Sequence, residues 1–325
     1  MNLSGRAVMS TTSSKQPVVP VGDSKIHCDP TGAVNFQQPR SVARAIDDIL
    51  RTRYGAEYGQ PLLDAAITDL VRAFKGDYPG LLGCDTHYHD LRHALDAGLA
   101  MARLIDGQAR ETASDSPEHI DAEHALLGVL LAFFHDIGLL RRVGESHLQG
   151  ATLTPVHEAR GIEFVRTYLA DTPLAHLADK AGLIMVTRLD WSIPAEVSPL
   201  ERALACLLGT SDIICQLADR FYLEKCRDFL FVEFSAIGLA GVPGSQYPDP
   251  ETLLRNTPSF TGFLSTRIRK EYREADRYMK AHFGGECPYE ASINRNFRHL
   301  GEILAEADWS RLQRQPQRVI DTDHA

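Results

Sequence analysis

The chain has 325 residues, of which 44% are hydrophobic and 24% are charged, values typical of a soluble globular protein with a sizeable buried core. Its net charge of −9 argues against a general nucleic-acid or anionic-membrane binder, because both functions depend on basic surface patches. We therefore expect no nucleic-acid polymer and no membrane as partner, and an anionic substrate would need local cations in its site.

The cysteines and the N-terminal segment indicate a cellular compartment. The six cysteines are far apart in the sequence, and no pair has CxxC spacing, which is typical of reduced thiols. Residues 1–14 are polar and lack the apolar segment of a signal peptide. The longest apolar run, Ala125–Phe134, is shorter than the roughly 20 residues that a membrane-spanning helix needs. These features predict a cytoplasmic protein.

The N-terminal part divides into two segments. Residues 1–40 are rich in Ser, Thr, Pro, Gly and Gln and have no helical periodicity, so we interpret them as a disordered leader. Apolar residues at helical spacing begin near Ser41, a residue type favoured at helix N-caps. Residues 41–84 are expected to form helices that pack on the core.

Residues 85–235 are expected to form the catalytic core. A helical pattern begins at Thr86 and continues to about Asp106, and Ala122–Leu140 is the most apolar helix of the chain. Such an apolar helix is expected at the centre of the fold. Further helices are predicted over His157–Leu169, Leu174–Thr187 and Leu200–Phe231.

Residues 236–310 are expected to form a C-terminal unit. Ile237–Ser259 is dense in Gly and Pro, which predicts a long loop that could act as a lid. Helices are predicted over Gly262–Phe283 and Tyr289–Leu304, followed by a flexible tail over residues 311–325. No two alternating apolar runs are joined by a hairpin turn, so the whole pattern predicts an all-α fold.

Three separate stretches carry residues that could bind a metal. His89 and His93 are spaced i,i+4 on a predicted helix, so both would project from one face, although two histidines on a polar face give the same pattern. His135 and Asp136 lie at the end of the most apolar helix, where burial is costly unless each group is satisfied. A metal ion would satisfy both; the alternative is an exposed helix end terminated by glycine.

The third stretch is Leu207–Ile214, which contains the single carboxylate of Asp212 within apolar residues. This carboxylate is either a metal ligand or a helix N-cap after Thr210 and Ser211. Together the three stretches supply two histidines and two aspartates, a nitrogen and oxygen ligand set that suits Zn, Mn, Fe or Mg.

These residues resemble a known family. Tyr88–Asp96 follows the pattern Tyr-His-(Asn/Asp)-x-x-His-Ala-x-Asp, and the His135–Asp136 pair and Asp212 follow in order. In this the chain is similar to the HD superfamily of metal-dependent phosphohydrolases, in the version found in the catalytic domain of cyclic nucleotide phosphodiesterases. The resemblance covers about residues 86 to 235. It implies a multi-helix HD/phosphodiesterase-like bundle with a metal site at its centre.

The resemblance also implies roles for individual residues. His93, His135, Asp136 and Asp212 would bind the first of one or two divalent metal ions, and Asp136 would bridge to the second. His89 would be the general acid that protonates the leaving oxygen. The implied activity is hydrolysis of a small-molecule phosphoester, with a nucleotide or cyclic nucleotide as first candidate, by water that the metal activates.

The chain departs from the phosphodiesterase pattern at two motif positions. It has Asp90 where those enzymes have Asn, and Ile137-Gly138 where another His and a Pro-Gly follow the His-Asp pair. The glutamine that selects purines in those enzymes has no convincing counterpart. These departures concern the choice of substrate and leave the metal ligands intact.

Other residues are secondary candidates. His157 begins a predicted helix after a proline and could contact a second metal, or it is a surface histidine at a helix start. Gln216 lies one turn after Asp212 and could reach a substrate pocket. The candidates for phosphate contacts, which could equally form ordinary ion pairs, are Arg141, Arg142 and Arg160.

Two alternative functions remain open at this point. One is a non-catalytic HD module that binds a ligand or partner. The other is an HD-type di-iron oxygenase, which generally needs more histidine ligands than the sequence clearly supplies. A homodimer is compatible with the sequence, which does not define the oligomeric state.

Overall fold

The computed structural model describes residues 25–316 and residue 319. This part of the chain contains helices and three isolated β-bridges but no β-strand, which confirms the predicted all-α fold. The α-helices are α1 (Pro39–Tyr54), α2 (Gln60–Lys75), α3 (Leu91–Glu111), α4 (Ala122–Phe134), α5 (His157–Leu169), α6 (Pro199–Ala218), α7 (Tyr222–Lys225), α8 (Phe231–Ala236), α9 (Pro250–Lys270), α10 (Arg277–Phe283) and α11 (Pro288–Glu306). Segments of 3-10 helix connect several of these helices, and the longest is Ala175–Thr187.

Helix α3 is the centre of the bundle. It packs against α1, α4, α6 and α10, and every residue from Leu91 to Gln108 is buried. Helix α4 packs against α3 and α6, and all its residues from Ala125 to Phe134 are buried. The three helices α3, α4 and α6 therefore share one core, as expected for elements that are apolar around most of their circumference.

The segment Ala122–Leu139 is long and apolar enough to cross a membrane, with a mean hydropathy of 1.4. In the structure, 83% of this segment is buried inside the protein. The core helix of a soluble protein has the same composition, so the segment alone decides nothing about a membrane. The six cysteines form no disulfide.

Capping residues set where the site-bearing helices begin. The Asp90 carboxylate accepts a hydrogen bond of 3.0 Å from the backbone N–H of His93, so α3 begins at Leu91 and not at Thr86 as the periodicity predicted. His89 therefore precedes the helix, and the predicted i,i+4 helical pair of His89 and His93 is wrong. A capping box of Ser198 and Glu201 begins α6.

The N-terminal segment differs from the predicted disordered leader where it is described. Residues 25–38 form turns with an isolated bridge between Cys28 and Asn35. Asp29 is fully buried and forms an ion pair of 2.7 Å with Arg103 of α3. The buried ion pair fixes this segment on the bundle despite its loop-like composition. Residues 1–24 lie outside the described residues, as do residues 317, 318 and 320–325 of the predicted flexible tail.

The predicted lid loop is shorter than its composition suggested. Asp249 caps α9, accepting a hydrogen bond of 2.7 Å from the Thr252 N–H, and Pro250 occupies the first helical turn, where proline is tolerated. Helix α9 continues through Pro258 to Lys270, so only residues 237–249 of Ile237–Ser259 form a loop. The helix predicted over Gly262–Phe283 is likewise interrupted after Lys270.

The predicted Leu200–Phe231 helix is also divided. Helix α6 ends at Ala218, and the short α7 begins at Tyr222. Asp219 makes the break because its carboxylate accepts a hydrogen bond of 3.0 Å from the backbone N–H of Phe221. Asp212 consequently lies inside α6, which excludes the alternative that it is a helix N-cap.

Candidate metal centre

Three core helices bring the four predicted ligands together. His93 lies in the first turn of α3, His135 immediately follows α4, Asp136 is the next residue, and Asp212 lies inside α6. His93, His135 and Asp136 are each at most 4% exposed. The convergence follows from helix packing, because α3 and α4 contact each other and both contact α6.

The ligand atoms form a compact group. The Nε2 atoms of His93 and His135 are 3.1 Å apart. The Oδ2 atom of Asp136 lies 3.2 Å from Nε2 of His93 and 3.0 Å from Nε2 of His135. The Oδ1 atom of Asp212 lies 3.3 and 3.5 Å from the same two nitrogens. Each imidazole thus faces the other imidazole and both carboxylates.

These separations fit a bound cation. For ligand atoms about 2.0–2.2 Å from a tetrahedral Zn²⁺, geometry gives ligand–ligand separations of about 3.3–3.6 Å, close to the observed distances. The buried Oδ2 of Asp136 has no hydrogen-bond donor with suitable geometry among the described residues, although two imidazole nitrogens are near it. A cation would satisfy this oxygen and both nitrogens together. His93, His135 and Asp136 therefore form a group that could hold a metal ion.

Groups behind the candidate ligands hold them in place. Nδ1 of His135 lies 2.8 Å from the backbone oxygen of Ala132, an arrangement in which Nδ1–H donates and leaves the Nε2 lone pair for a cation. The Gln216 amide donates to Oδ1 of Asp212 at 2.6 Å and to the Asp212 backbone oxygen at 3.0 Å. Gln216, proposed for the substrate pocket, therefore contacts a candidate ligand.

His157 reaches the other side of Asp136. Its Nε2 lies 3.3 Å from Oδ1 of Asp136, and its Nδ1 lies 2.7 Å from the backbone oxygen of Thr154. The carbonyl again favours a tautomer whose Nε2 lone pair faces the carboxylate. Asp136 thus presents Oδ2 to His93 and His135 and Oδ1 to His157. The two oxygens of this carboxylate therefore face different histidines.

His89 forms a pair with a carboxylate that the sequence did not single out. Its Nδ1 lies 2.7 Å from Oε2 of Glu233 in α8, and the other oxygen of Glu233 accepts a hydrogen bond of 2.7 Å from the Tyr88 N–H. Burial opposes a charge on His89, but the nearby Glu233 and Asp136 carboxylates outweigh it and raise the pKa of His89. The available signal was one glutamate within the aromatic stretch Phe229–Phe234.

Electrostatics at the centre couple the imidazoles to the carboxylates. Burial disfavours the ionised Asp136, but the charges of His135 and His89 outweigh it and hold the pKa of Asp136 well below its ordinary value. Burial likewise opposes the charged form of His135, whereas Asp136 and Asp212 raise its pKa well above the usual range. The carboxylates thus favour positive charge at the imidazole nitrogens, which protons or a cation can supply.

The three candidate arginines are engaged in structural contacts. Arg141 lies 3.3 Å from Asp85, Arg142 pairs with Glu163, and the Arg160 guanidinium contacts Glu145 at 2.8 Å. Arg160 also donates to the backbone oxygens of Gly138 and Leu140. These contacts are those of the ordinary ion pairs considered above, and the phosphate-contact role stays a prediction.

Comparison with known proteins gives no further assignment. No family model matches the chain, and it matches no curated protein and no solved structure. The fold and the site together define an all-α protein with a buried His/Asp group that could hold a metal ion. Any more specific function must be argued from the geometry of these residues.

Proposed function

We propose that this protein is a metal-dependent phosphohydrolase of the HD type that cleaves a small-molecule phosphoester, with nucleotides and cyclic nucleotides as first candidates. The observation that carries the proposal is the convergence of His93, His135, Asp136 and Asp212 from three helices, with both imidazole Nε2 atoms 3.0–3.5 Å from a carboxylate oxygen of each aspartate. Buried imidazole and carboxylate groups at these separations are the ligands that a divalent cation prefers.

The chemistry divides between the metal and the chain. A bound divalent cation would supply an activated water and relief of phosphate charge. Asp136 is the residue suited to hold two cations, because its two oxygens face separate histidines. Gln216 fixes the orientation of Asp212 through its hydrogen bond of 2.6 Å, and the Ala132 carbonyl fixes the ring of His135.

His89 is the proposed general acid. Glu233 holds its Nδ1, so Nε2 remains as the nitrogen that can deliver a proton to the leaving oxygen. Although burial opposes the charge, the Glu233 carboxylate raises the pKa of His89, which favours the protonated ring that a general acid needs. The side chain is 23% exposed, whereas those of His93 and His135 are almost fully buried, so His89 lies nearer to where a substrate can enter.

The proposal is tested with bis-p-nitrophenyl phosphate as a generic phosphodiester and Mn²⁺ as added metal. We expect hydrolysis by the wild-type protein and its loss in Asp136→Ala and His135→Ala, with helical circular dichroism nearly unchanged. The matched control is His147→Ala, because His147 is exposed and forms no ion pair within the described residues. Full activity in either ligand variant would overturn the proposed centre.

One observation favours a second candidate function. His157 adds a third histidine to the group around Asp136, which brings the site closer to the histidine-rich centres of di-iron oxygenases. Iron in the isolated protein, with dioxygen consumption and no phosphodiester hydrolysis, would favour that alternative. Metal binding without turnover of either kind would indicate a non-catalytic module.

A further inference from the structure

A cavity lies near the candidate metal centre, since its lining includes Arg92, the neighbour of His93 in the sequence. Its volume is about 230 Å³. The turns of residues 25–38, helices α3 and α11, the end of α6 and the C-terminal segment contribute its walls. None of the four candidate metal ligands lines it. The cavity therefore has walls of its own and could accommodate a small ligand.

Arginines dominate the charged lining of this cavity. They come from four elements that are distant in the sequence, and they are Arg92, Arg220, Arg295 and Arg314. Among the described residues, Arg220, Arg295 and Arg314 form no ion pair with a carboxylate. The packing thus brings three guanidinium groups without a carboxylate partner to one space, where Arg220 is half-buried and Arg295 and Arg314 are exposed to solvent. Their charges repel one another, and a bound anion would relieve that repulsion.

Two of the three aspartates that line the cavity are paired with cations. Asp29 pairs with Arg103 at 2.7 Å. Asp219 lies 3.5 Å from Lys225 and 3.4 Å from Arg92, so it is divided between two cations. Neither carboxylate is within ion-pair distance of the three arginines that lack a carboxylate partner. Asp96, the third aspartate of the lining, is buried, and burial raises its pKa to about 7. Four arginines therefore face three aspartates, one of which favours its neutral form.

Arg92 is the buried arginine of this cavity. Its side chain is 3% exposed and lies between the rings of Phe36 and Phe221, with its guanidinium carbon 4.9 and 5.4 Å from their centroids. Its two hydrogen bonds are both long, at 3.4 Å, and its Nε has no partner among the described residues. A buried guanidinium with an unsatisfied N–H is costly unless a ligand completes its hydrogen bonds.

Arg220 shows the same excess of positive charge. Burial lowers the pKa of Arg220, and the charges of Arg92 and Arg314 lower it further. These three cations therefore repel one another across the cavity. Guanidinium groups bind phosphate oxygens in a bidentate manner, and a cavity of about 230 Å³ limits the ligand to a small molecule.

We propose that the cavity lined by Arg92, Arg220, Arg295 and Arg314 is a binding site for a small phosphorylated anion, separate from the candidate metal centre. The site needs no metal, because its contacts come from the guanidinium groups alone. It is also independent of the proposed hydrolysis, since the ligands of the candidate centre do not line it.

The test measures binding of inorganic pyrophosphate to the full chain by isothermal titration calorimetry, in EDTA and at constant ionic strength. We expect the wild-type protein and Asp136→Asn to bind with similar affinity. Arg220→Gln and Arg314→Gln should each weaken binding about tenfold or more, because each removes charge-assisted hydrogen bonds. The matched control is Arg298→Gln, which alters an exposed arginine of α11 that does not line the cavity.

Other outcomes overturn the proposal. If Asp136→Asn abolishes binding while Arg220→Gln retains it, pyrophosphate occupies the metal centre instead. If Arg298→Gln weakens binding as much as the cavity variants do, the interaction is general surface electrostatics. Should the wild-type protein fail to bind pyrophosphate and inorganic phosphate at millimolar concentrations, the cavity is not a phosphate site. Circular dichroism of each variant shows whether a loss of binding reflects unfolding.

Discussion

Nε2 of His157 lies 3.3 Å from Oδ1 of Asp136, the carboxylate oxygen opposite the one that lies 3.0 Å from His135. The two histidines therefore lie on different sides of one buried carboxylate. Gly138 permits this approach, because a Cβ at this position would meet the backbone oxygen of His157 at 1.9 Å. If Asp136 holds a cation on each side, His157 is the residue placed to contact the second.

Replacing His157 should remove a second metal ion and leave the first in place. We expect His157→Ala to retain one divalent ion per chain and to lose a second, because His93, His135, Asp136 and Asp212 remain intact. Hydrolysis should fall by a factor of about 100 or more if the second cation clamps the phosphate. Elemental analysis after equilibrium dialysis against Mn²⁺ or Zn²⁺ gives the stoichiometry directly.

His135→Ala provides the comparison, since it removes a nitrogen from the four-residue group and should lower occupancy of the first position. Equal stoichiometry in wild-type and His157→Ala would show that His157 is not a ligand. In that case the contact with Asp136 serves only to orient the carboxylate.

Glu233 should raise the pKa of His89, the proposed general acid. In Glu233→Gln the carboxylate that raises the pKa of His89 is absent, so the pKa of His89 should fall. The protonated form is then lost at a lower pH, and the alkaline limb of the kcat profile should move to lower pH. We also expect kcat near pH 7.5 to fall about tenfold, whereas His89→Ala should cost about 10²–10⁴-fold with metal retained.

The control for this prediction is Asp228→Asn, which removes a nearby carboxylate that pairs with Arg227 and does not contact His89. It should leave the pH profile in place. An unchanged profile in Glu233→Gln would assign Glu233 a packing role. Loss of metal in His89→Ala would instead make His89 a ligand.

His135, Asp136 and Asp212 were predictable as candidates because each interrupts or ends an apolar helix. Asp212 stands alone among buried apolar residues of α6, and His135 and Asp136 follow directly after α4. Burial at such positions is costly for polar groups, so polar residues there indicate that the groups share a partner. The distances that unite them come from helix packing, which the sequence pattern does not specify.

The errors have local physical causes. Periodicity extended α3 back to Thr86 because it does not register the Asp90 cap, which places His89 outside the helix. Composition assigned residues 25–38 to a disordered leader, but the Asp29–Arg103 ion pair joins partners 74 positions apart in the sequence. Glu233 was missed for the same reason, since its partner His89 is 144 residues away. Long-range polar pairs carry no periodic signal.

Alanine substitutions at two glycines should distinguish a loss of stability from a change in the geometry of the site. A Cβ at Gly138 would meet the backbone oxygen of His157 at 1.9 Å, and one at Gly107 would meet the backbone oxygen of Tyr278 at 1.8 Å. We expect both Ala variants to lose about 1–3 kcal/mol of unfolding free energy, because backbone cannot move aside cheaply. Only Gly138→Ala should also reduce the second-metal stoichiometry.

Urea titration and metal analysis of the same samples check this difference. The control is Gly301→Ala in α11, where no atom lies within 4 Å of the added Cβ. It should be neutral or stabilising by about 0.5–1 kcal/mol, since alanine favours the helix. Equal loss of metal in Gly107→Ala and Gly138→Ala would mean that the centre responds to general destabilisation.

Asp106 should make the stability of the bundle sensitive to acid. Its carboxylate pairs with Arg53 of α1, Arg110 of α3 and His282 of α10, each at 2.7 Å. Burial alone would raise the pKa of Asp106, but these three partners outweigh it and hold the pKa below its ordinary value. The carboxylate thus connects three helices at a point that contains none of the candidate metal ligands.

The sign of the pH dependence follows from this shift. Because the pKa is lower in the folded than in the unfolded chain, the ionised carboxylate stabilises the fold fully above the unfolded pKa of about 3.9. That contribution is lost as the pH falls through the folded-state pKa. Asp106→Asn should therefore lower the unfolding free energy by about 3 kcal/mol near pH 7, and the difference from wild type should shrink below about pH 4.

Urea unfolding of both proteins at several pH values between about 3 and 7 measures this difference. Asp48→Asn is the matched control, because Asp48 is an exposed aspartate of α1 without an ion pair among the described residues. The unfolding free energy of Asp48→Asn should differ from that of wild type by the same amount at every pH. A constant difference between Asp106→Asn and wild type down to pH 3 would show that Asp106 stabilises the helices by shape and hydrogen bonding, and not by its charge.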